Sequence, residues 1–359
     1  MNYRTAQLLA ETNFTAAQTK TIDINVSDPI SRIIIAWRVT RAGEGMDSYP
    51  HTDISKIELV DGSEVLHSLS GGENQAVAIY DRKSQTMNHG QHLGSNSEYS
   101  SYGIDFGRWL NDPMFAFDPA RFTNPQLKIT FSHLISDTGA SSGNLEVWAC
   151  MFDQRTISPV GMLVTRQIKD YTVAAAGVFD YIDLPVDRML RGLFIQGYAS
   201  GVEPWAQVIG ARLNEDNDKR VPFDWDLEDY HRVRKGWDHA IEEQCIGKAT
   251  TSSRVFYVTP SDFYTMPVMS AMEDDGTVHS EGWAKGGKIT VQSENINPWF
   301  WCNVRGWLPN HMFHFPFGDP KDVDDWYDLS QVGSLELRLK TGSSGSGNIR
   351  TSVQQVRLY

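Results

Sequence analysis

The segment Thr138–Trp148, TGASSGNLEVW, has a near twin at Thr341–Val353, TGSSGSGNIRTSV. Each is a Gly/Ser turn followed by Gly-Asn and an alternating run of the kind that forms a strand. Gly143-Asn144-Leu145 faces Gly347-Asn348-Ile349 at an offset of 204 residues. Further matches appear upstream in the same order. IDINV (Ile22–Val26) faces IDLPV (Ile182–Val186) at an offset of 160, and at that offset IIIAW (Ile33–Trp37) falls on LFIQG (Leu193–Gly197). ISKIELVDGSEV (Ile54–Val65) then faces VIGARLNEDNDKRV (Val208–Val221), strand, acidic turn, strand in both. Asp112-Pro113 faces Asp319-Pro320, and PQLKITF faces GSLELRL. The offset grows because the second copy carries the longer central insertion. Repeats take precedence in reading a fold, and this order of landmarks implies two copies of one β-domain in series.

The chain of 359 residues is long enough for two cores, and 40% hydrophobic against 21% charged residues marks a globular protein. Short β-branched runs separated by Gly, Pro, Asn and Asp, with little amphipathic helix, imply all-β sandwiches or barrels. Asp61-Gly62 between alternating runs marks a hairpin. The first twenty residues, with a weak helical spacing through Leu8, Leu9 and Phe14, read as an N-terminal arm. The domains are then expected at 21–165 and 166–359, with a linker around Arg155 to Ala176.

The net charge of −13, with 32 basic residues scattered along the chain, argues against a direct nucleic-acid grip or an anionic membrane surface. Apolar runs are too short to span a bilayer, and the N-terminus lacks the apolar h-region of a secretory signal. Cys150, Cys245 and Cys302 have no CxxC spacing and read as free thiols made in a reducing cytosol.

Patterns that could carry chemistry have plainer readings. Gly139–Gly143 fits G-x-S-x-G, but the residues after the serine read as a strand and not as the helix a nucleophile elbow needs. The pairs His89/His92, with Glu98 beyond, and His311/His314 lack the His-x-His order of a cupin metal site, and an i, i+3 pair on a strand points to opposite faces. The acidic stretches NEDND, MEDDG and DVDDWYD lack the spacing of an EF-hand and read as solvated loops. No catalytic, cofactor or metal residues are expected. Asn297–Phe317 concentrates Trp299, Trp301 and Trp307, and a nearby stretch holds Met266 and Met269. This density points to a small core or a subunit interface, where aromatics and Met are enriched, with a sugar-stacking platform as the competing reading.

TIDINVSDPISRIIIAWRV (Thr21–Val39), its partner YIDLPVDRMLRGLFIQGY (Tyr181–Tyr198), the LNEDNDKRVPFD turn and the paired C-terminal hairpins together resemble the double jelly-roll major capsid proteins of tailless icosahedral bacteriophages and the adenovirus lineage. The resemblance implies two tandem eight-stranded antiparallel jelly rolls with long inserted loops. It implies a non-enzymatic structural protein whose homotrimers present a pseudo-hexagonal outline and tile an icosahedral virion shell. Its partners would be other copies of itself, neighbouring trimers, penton or spike proteins and an internal membrane where one exists. It would be made in the host cytoplasm and reside in the virion capsid. The long loops Ser84–Asp112 and Trp225–Phe317 would form towers or knit the trimer, with the Trp and Met clusters between subunits. The alternative function is a glycan-binding or glycan-processing double sandwich, with a metal-dependent bicupin as a further one.

Overall fold

The structure, a computed structural model, describes residues 1–40, 49–83, 88–92, 97–132, 142–266, 278–282, 284–294, 299–342 and 347–359. The first half contributes β1 (Tyr3–Phe14), β2 (Gln18–Asp23), β3 (Ile30–Thr40), β4 (Ile54–Asp61), β5 (Glu64–Leu69), α1 (Gly71–Arg82), β6 (Asn88–His92), β7 (Ser97–Asp105), β8 (Pro125–Phe131) and β9 (Ser142–Phe152). The second contributes β10 (Gly161–Thr172), β11 (Phe179–Leu184), β12 (Leu190–Tyr198), α2 (Pro204–Gln207), β13 (Val208–Glu215), β14 (Arg220–Asp226) and α3 (Leu227–Arg234). An insertion follows: β15 (Ile241–Lys248), β16 (Arg254–Tyr257), β17 (Pro260–Met266), β18 (Val278–Glu281), β19 (Lys288–Ser293) and β20 (Trp299–Pro309). β21 (Met312–Pro316), β22 (Leu335–Thr341) and β23 (Asn348–Leu358) close the chain.

The two halves repeat one strand order. In the first, β1-β9-β3-β7 faces β2-β8-β4-β5; in the second, β10-β23-β12-β21 faces β11-β22-β13-β14. Each is a jelly roll of two four-stranded antiparallel sheets. Alternation supplies the cores. Ile33, Ile35 and Trp37 of β3 point inward with Leu59, Leu127, Ile129, Val147 and Ala149. Leu193 and Ile195 of β12 do the same with Leu213, Phe315, Leu337 and Val353. Full burial of each such side chain stabilises the fold by about 1.5–3 kcal/mol.

Strand register confirms the repeat residue by residue. Ile33 pairs with Ala149 and Leu193 pairs with Val353, the positions that the Gly-Asn landmark equates. In the facing sheets Ile22, Leu127 and Leu59 form one row, and Ile182, Leu337 and Leu213 form its counterpart. That row sets Leu127 against Leu337, two residues along from the pairing of PQLKITF with GSLELRL. The repeated Gly-Asn has a different physical need in each copy. A Cβ on Gly143 would lie 2.2 Å from the Trp37 ring, whereas Gly347 has φ +99° and abuts the Tyr198 carbonyl.

Three expectations are corrected. The first twenty residues are not an arm outside the sheets: β1 pairs with β9 along its length and is the edge strand of the first roll. The helix-like spacing of Leu8 and Leu9 arises from a bulge between Gln7 and Leu9, which slips the alternation by one residue. The segment Arg155–Ala176 is mostly strand β10 and not a linker, so residue 165 falls inside the first strand of the second roll. The expected long loops are not all loop either: Ser84–Asp112 contains β6 and β7, and Trp225–Phe317 contains α3 and β15 to β21. A helix before the first of them went unread. This helix, α1, is opened by a capping box in which Ser70 and Glu73 satisfy each other's backbone N–H groups.

The rolls lie side by side and share sheets. Parallel pairing of β5 with β10, Thr165 opposite His67 and Arg166 opposite Ser68, merges one sheet of each roll into an eight-stranded sheet. The long insertion adds β15-β20-β17 to the other sheet of the first roll through parallel β6–β15 pairing. β16-β19-β18 forms a separate sheet, and the insertion has its own core of Phe256, Val258, Ile289, Val291, Phe300 and Val304.

Candidate assembly surface

The side chains singled out in the sequence separate by strand alternation. On β20, Phe300, Cys302 and Val304 enter the insertion core, while Trp299, Trp301 and Trp307 lie half-buried on the opposite face. Trp299 to Trp307 spans about 26 Å at 3.3 Å per residue, so the tryptophans form a strip and not one cluster. Lys248 lies over Trp299 at 5.8 Å, and Lys235 over Trp307 at 4.9 Å. Met266 ends β17 opposite Asn303, and Met269 lies outside the described residues.

Among the described side chains of that set only Trp307 lines the groove of about 750 Å³ between α1, α3 and β21, together with Tyr80, Trp225, Tyr230, Trp237 and His314. Tyr230 stacks on Phe315 at 4.2 Å and donates to the His314 carbonyl at 2.6 Å. The His314 ring stacks on Phe194 at 4.7 Å and meets Tyr80 at 4.9 Å in a tilted contact. Burial, with Arg234 and Arg191 nearby, holds its pKa well below the usual imidazole value. The lip of the groove is apolar and open: Trp237 is 69% exposed and Val233 45%. Sequence reading passed over both residues, because neither lies in an aromatic cluster; the signal is their solvent exposure.

Beside the groove, α1 carries the polar contacts that tie one roll to the other. Glu73 accepts from Ser70 of its own roll at 2.7 Å and from Gln167 at 3.2 Å and Ser352 at 2.5 Å on the second roll. Asp81 accepts from Arg191 at 2.6 Å and from Gln354 at 2.9 Å. Asn310 donates to the Gly72 carbonyl at 3.1 Å and to Gln75 at 3.2 Å. Glu73 and Asp81 each accept from more than one donor, and such shared buried acceptors specify one docking geometry and disfavour slipped ones, although Asn310 Oδ1 has no partner among the described residues.

The other chemical candidates are dispersed. Residues 139–141 of the G-x-S-x-G match lie outside the described residues, and Ser142 begins strand β9. His311 is buried against Tyr49 and Tyr198 with its pKa lowered to about 3 by burial, while His314 faces the groove. The side chains of His89 and His92 lie outside the described residues. Asn214 and Glu215 of NEDND end β13, and Asp216, Asn217 and Asp218, all at positive φ, turn the chain towards β14. Asp322 of DVDDWYD caps a short 3-10 turn, and MEDDG lies outside the described residues. Among the described residues no three His, Cys, Asp or Glu side chains gather to hold a metal ion.

No protein-family profile matches the chain. No curated protein sequence matches it either. Solved structures do. The STIV MCP superposes with TM-score 0.60 at 11% identity, covering 100% of this chain and 97% of the other. The major capsid protein P2 from bacteriophage PM2 superposes with TM-score 0.57 at 10% identity, covering 99% and 98%. The PBCV-1 virus capsid gives TM-score 0.55 at 8% identity, covering 99% and 93%. At such identities backbone topology is what is shared, and over its whole length this chain has the double jelly-roll fold seen in those viral capsid structures.

Proposed function

We propose that the chain is a major capsid protein, a structural subunit whose homotrimers present a pseudo-hexagonal outline and tile an icosahedral virion shell. One observation carries this reading. Two jelly rolls of identical strand order stand side by side in one chain, so three chains on a threefold axis place six similar lobes in a ring. Closed cyclic symmetry then satisfies the contacts within the ring, and its outer surface remains for neighbouring trimers. The full-length coverage of the PM2 and STIV structures supports the same role.

In this reading the first domain runs from β1 to β9 and the second from β10 to β23. The insertion built on β15–β20 is the tower, with the Trp299–Trp307 strip facing a neighbouring subunit. Penton or spike proteins, and an internal membrane where one exists, are the further partners. Light scattering of the purified chain at near-neutral pH should give three times the chain mass, and electron microscopy should show particles of hexagonal outline. A monomer at all concentrations up to those of assembly would overturn the proposal.

A further inference from the structure

The two rolls meet within one chain through a defined junction, and the chain ends with both halves of a second such junction unused. In the internal junction β5, the edge of the first roll, lies parallel to β10, the edge of the second, and α1 follows β5 onto the outer face of the second roll. By the same topology β14 is the edge of the second roll, α3 follows it, and β1 is the open edge of the first roll. Among the described residues, β14 and β1 have no strand partner on their outer sides.

The equivalence extends to single residues. Leu59 sits opposite His67, and its counterpart Leu213 sits opposite Phe223; Ser68 corresponds in turn to Asp224. Thr165 and Arg166 correspond to Thr5 and Ala6, which pair with Cys150 and Ala149 as the former pair with Gln354 and Val353. One residue further on, β1 is bulged between Gln7 and Leu9 and β10 between Gln167 and Lys169, so both edges bend at the same place. Ser70 caps α1, and Asp226 caps α3.

Burial and side-chain polarity differ. Leu69 is buried, whereas its counterpart Trp225 is 37% exposed. On the outer face of the second roll Ser352 and Gln354 are covered by α1, whereas their counterparts Trp148 and Cys150 on the first roll remain partly open. Counting from the caps, Val233 takes the place of Val77, and Trp237, just beyond the shorter α3, that of Asp81. The polar match of Asp81 to Gln354 is thus replaced on both sides by apolar groups, Trp237 and Cys150. Paired replacement is what a real contact requires, since an apolar group facing a buried polar one leaves it unsatisfied.

We infer that β14 and α3 of one copy dock on β1 and the outer face of the first roll in a second copy, with Phe223 beside Thr5 and Asp224 beside Ala6. Pro222, which has no N–H, lies just outside this register, and the internal junction likewise consists of two register pairs. The inference rests on the trimeric reading and specifies how the ring closes: the same junction is used three times within chains and three times between them.

Cysteine cross-linking of the full chain tests it. Neighbouring strands lie about 4.8 Å apart, within the reach of a disulfide. An Ala6→Cys/Asp224→Cys variant should oxidise to a covalent ladder ending at the trimer, while each single variant and a displaced Ala6→Cys/Arg220→Cys pair should not. The native Cys150 thiol should react with a soluble thiol reagent in dissociated subunits and lose at least tenfold in rate on assembly. Trp237→Asp, an exposed change that leaves each roll folded by circular dichroism, should abolish assembly. A trimer by light scattering with no ladder and Cys150 still reactive overturns this docking while leaving the trimer in place. The absence of any oligomer overturns the trimeric reading itself.

Discussion

The ion pair between α1 and the second roll offers the sharpest test of how the two lobes are held. Arg191 and Asp81 meet at 2.6 Å with side chains only 3% and 6% exposed. Arg191 also donates to the Pro320 carbonyl at 3.0 Å and to Gln354, and its guanidinium lies 5.7 Å from the Trp326 ring. Replacing Asp81 with Leu leaves a buried cation without its counter-charge, which costs about 3–5 kcal/mol. Arg191→Met strands the Asp81 carboxylate and should cost a similar amount. The double variant removes both charges and both desolvation penalties, so it should lose only the hydrogen bonds to Pro320 and Gln354, about 1–2 kcal/mol. With a urea m-value of about 3 kcal/mol/M, each single variant should lower the unfolding midpoint by about 1–1.7 M, and the double variant by about 0.5 M. Tryptophan fluorescence, with Trp326 beside the pair, reads the transition. Single changes that move the midpoint by less than about 0.3 M, or a double variant as damaged as the sum of the singles, would refute the reasoning.

Three further outcomes are expected. His51 and His67 are buried with pKa values lowered to about 3 by desolvation, and His311 likewise. The unfolded chain takes up these protons near pH 6.5 and the folded chain does not, so stability present above pH 6.5 is lost as pH falls, by roughly 2 kcal/mol per histidine at pH 5; urea titrations from pH 7 to 5 measure it. Glu243 runs the other way: burial raises its pKa to about 7, although Thr259 donates its N–H at 2.6 Å. Its unfolded carboxyl ionises first, so stability falls as pH rises from about 4.5 through 7, and Glu243→Gln, which keeps the acceptor, should recover roughly 3 kcal/mol at pH 8. A stability-versus-pH curve unchanged by the substitution would contradict this. Gly143→Ala drives a methyl group into the Trp37 ring and should cost about 1–3 kcal/mol, seen as a lower melting temperature, with Trp37→Phe in the same chain restoring part of the loss.

Much of the fold was legible because strand alternation is local. IDINV and IDLPV did mark equivalent strands, β2 and β11, and IIIAW and LFIQG marked β3 and β12. The reading failed where alternation is broken or where a helix is polar. The bulge at Leu8 made β1 look helical, and α1 escaped although Ser70 and Glu73 spell its capping box. The aromatic density of Asn297–Phe317 was visible, but a one-dimensional count cannot say which of Phe300 and Trp301 turns inward; the pleat of β20 decides that.

The sequence by itself determined the duplication, the all-β class and the order of the matched landmarks, because a period of two in apolar residues needs only near neighbours to express it. Tertiary structure alone decided that β5 joins β10 and that β6 joins β15. Such parallel edge contacts are made by backbone groups, which every residue carries alike, between segments about a hundred or more residues apart, and so leave no mark in composition or spacing. Only the packed chain shows that α1 is covered by a neighbouring roll while Val233 and Trp237, in the equivalent place, face solvent. Exposure is a property of what surrounds a residue, and no residue's own identity encodes it.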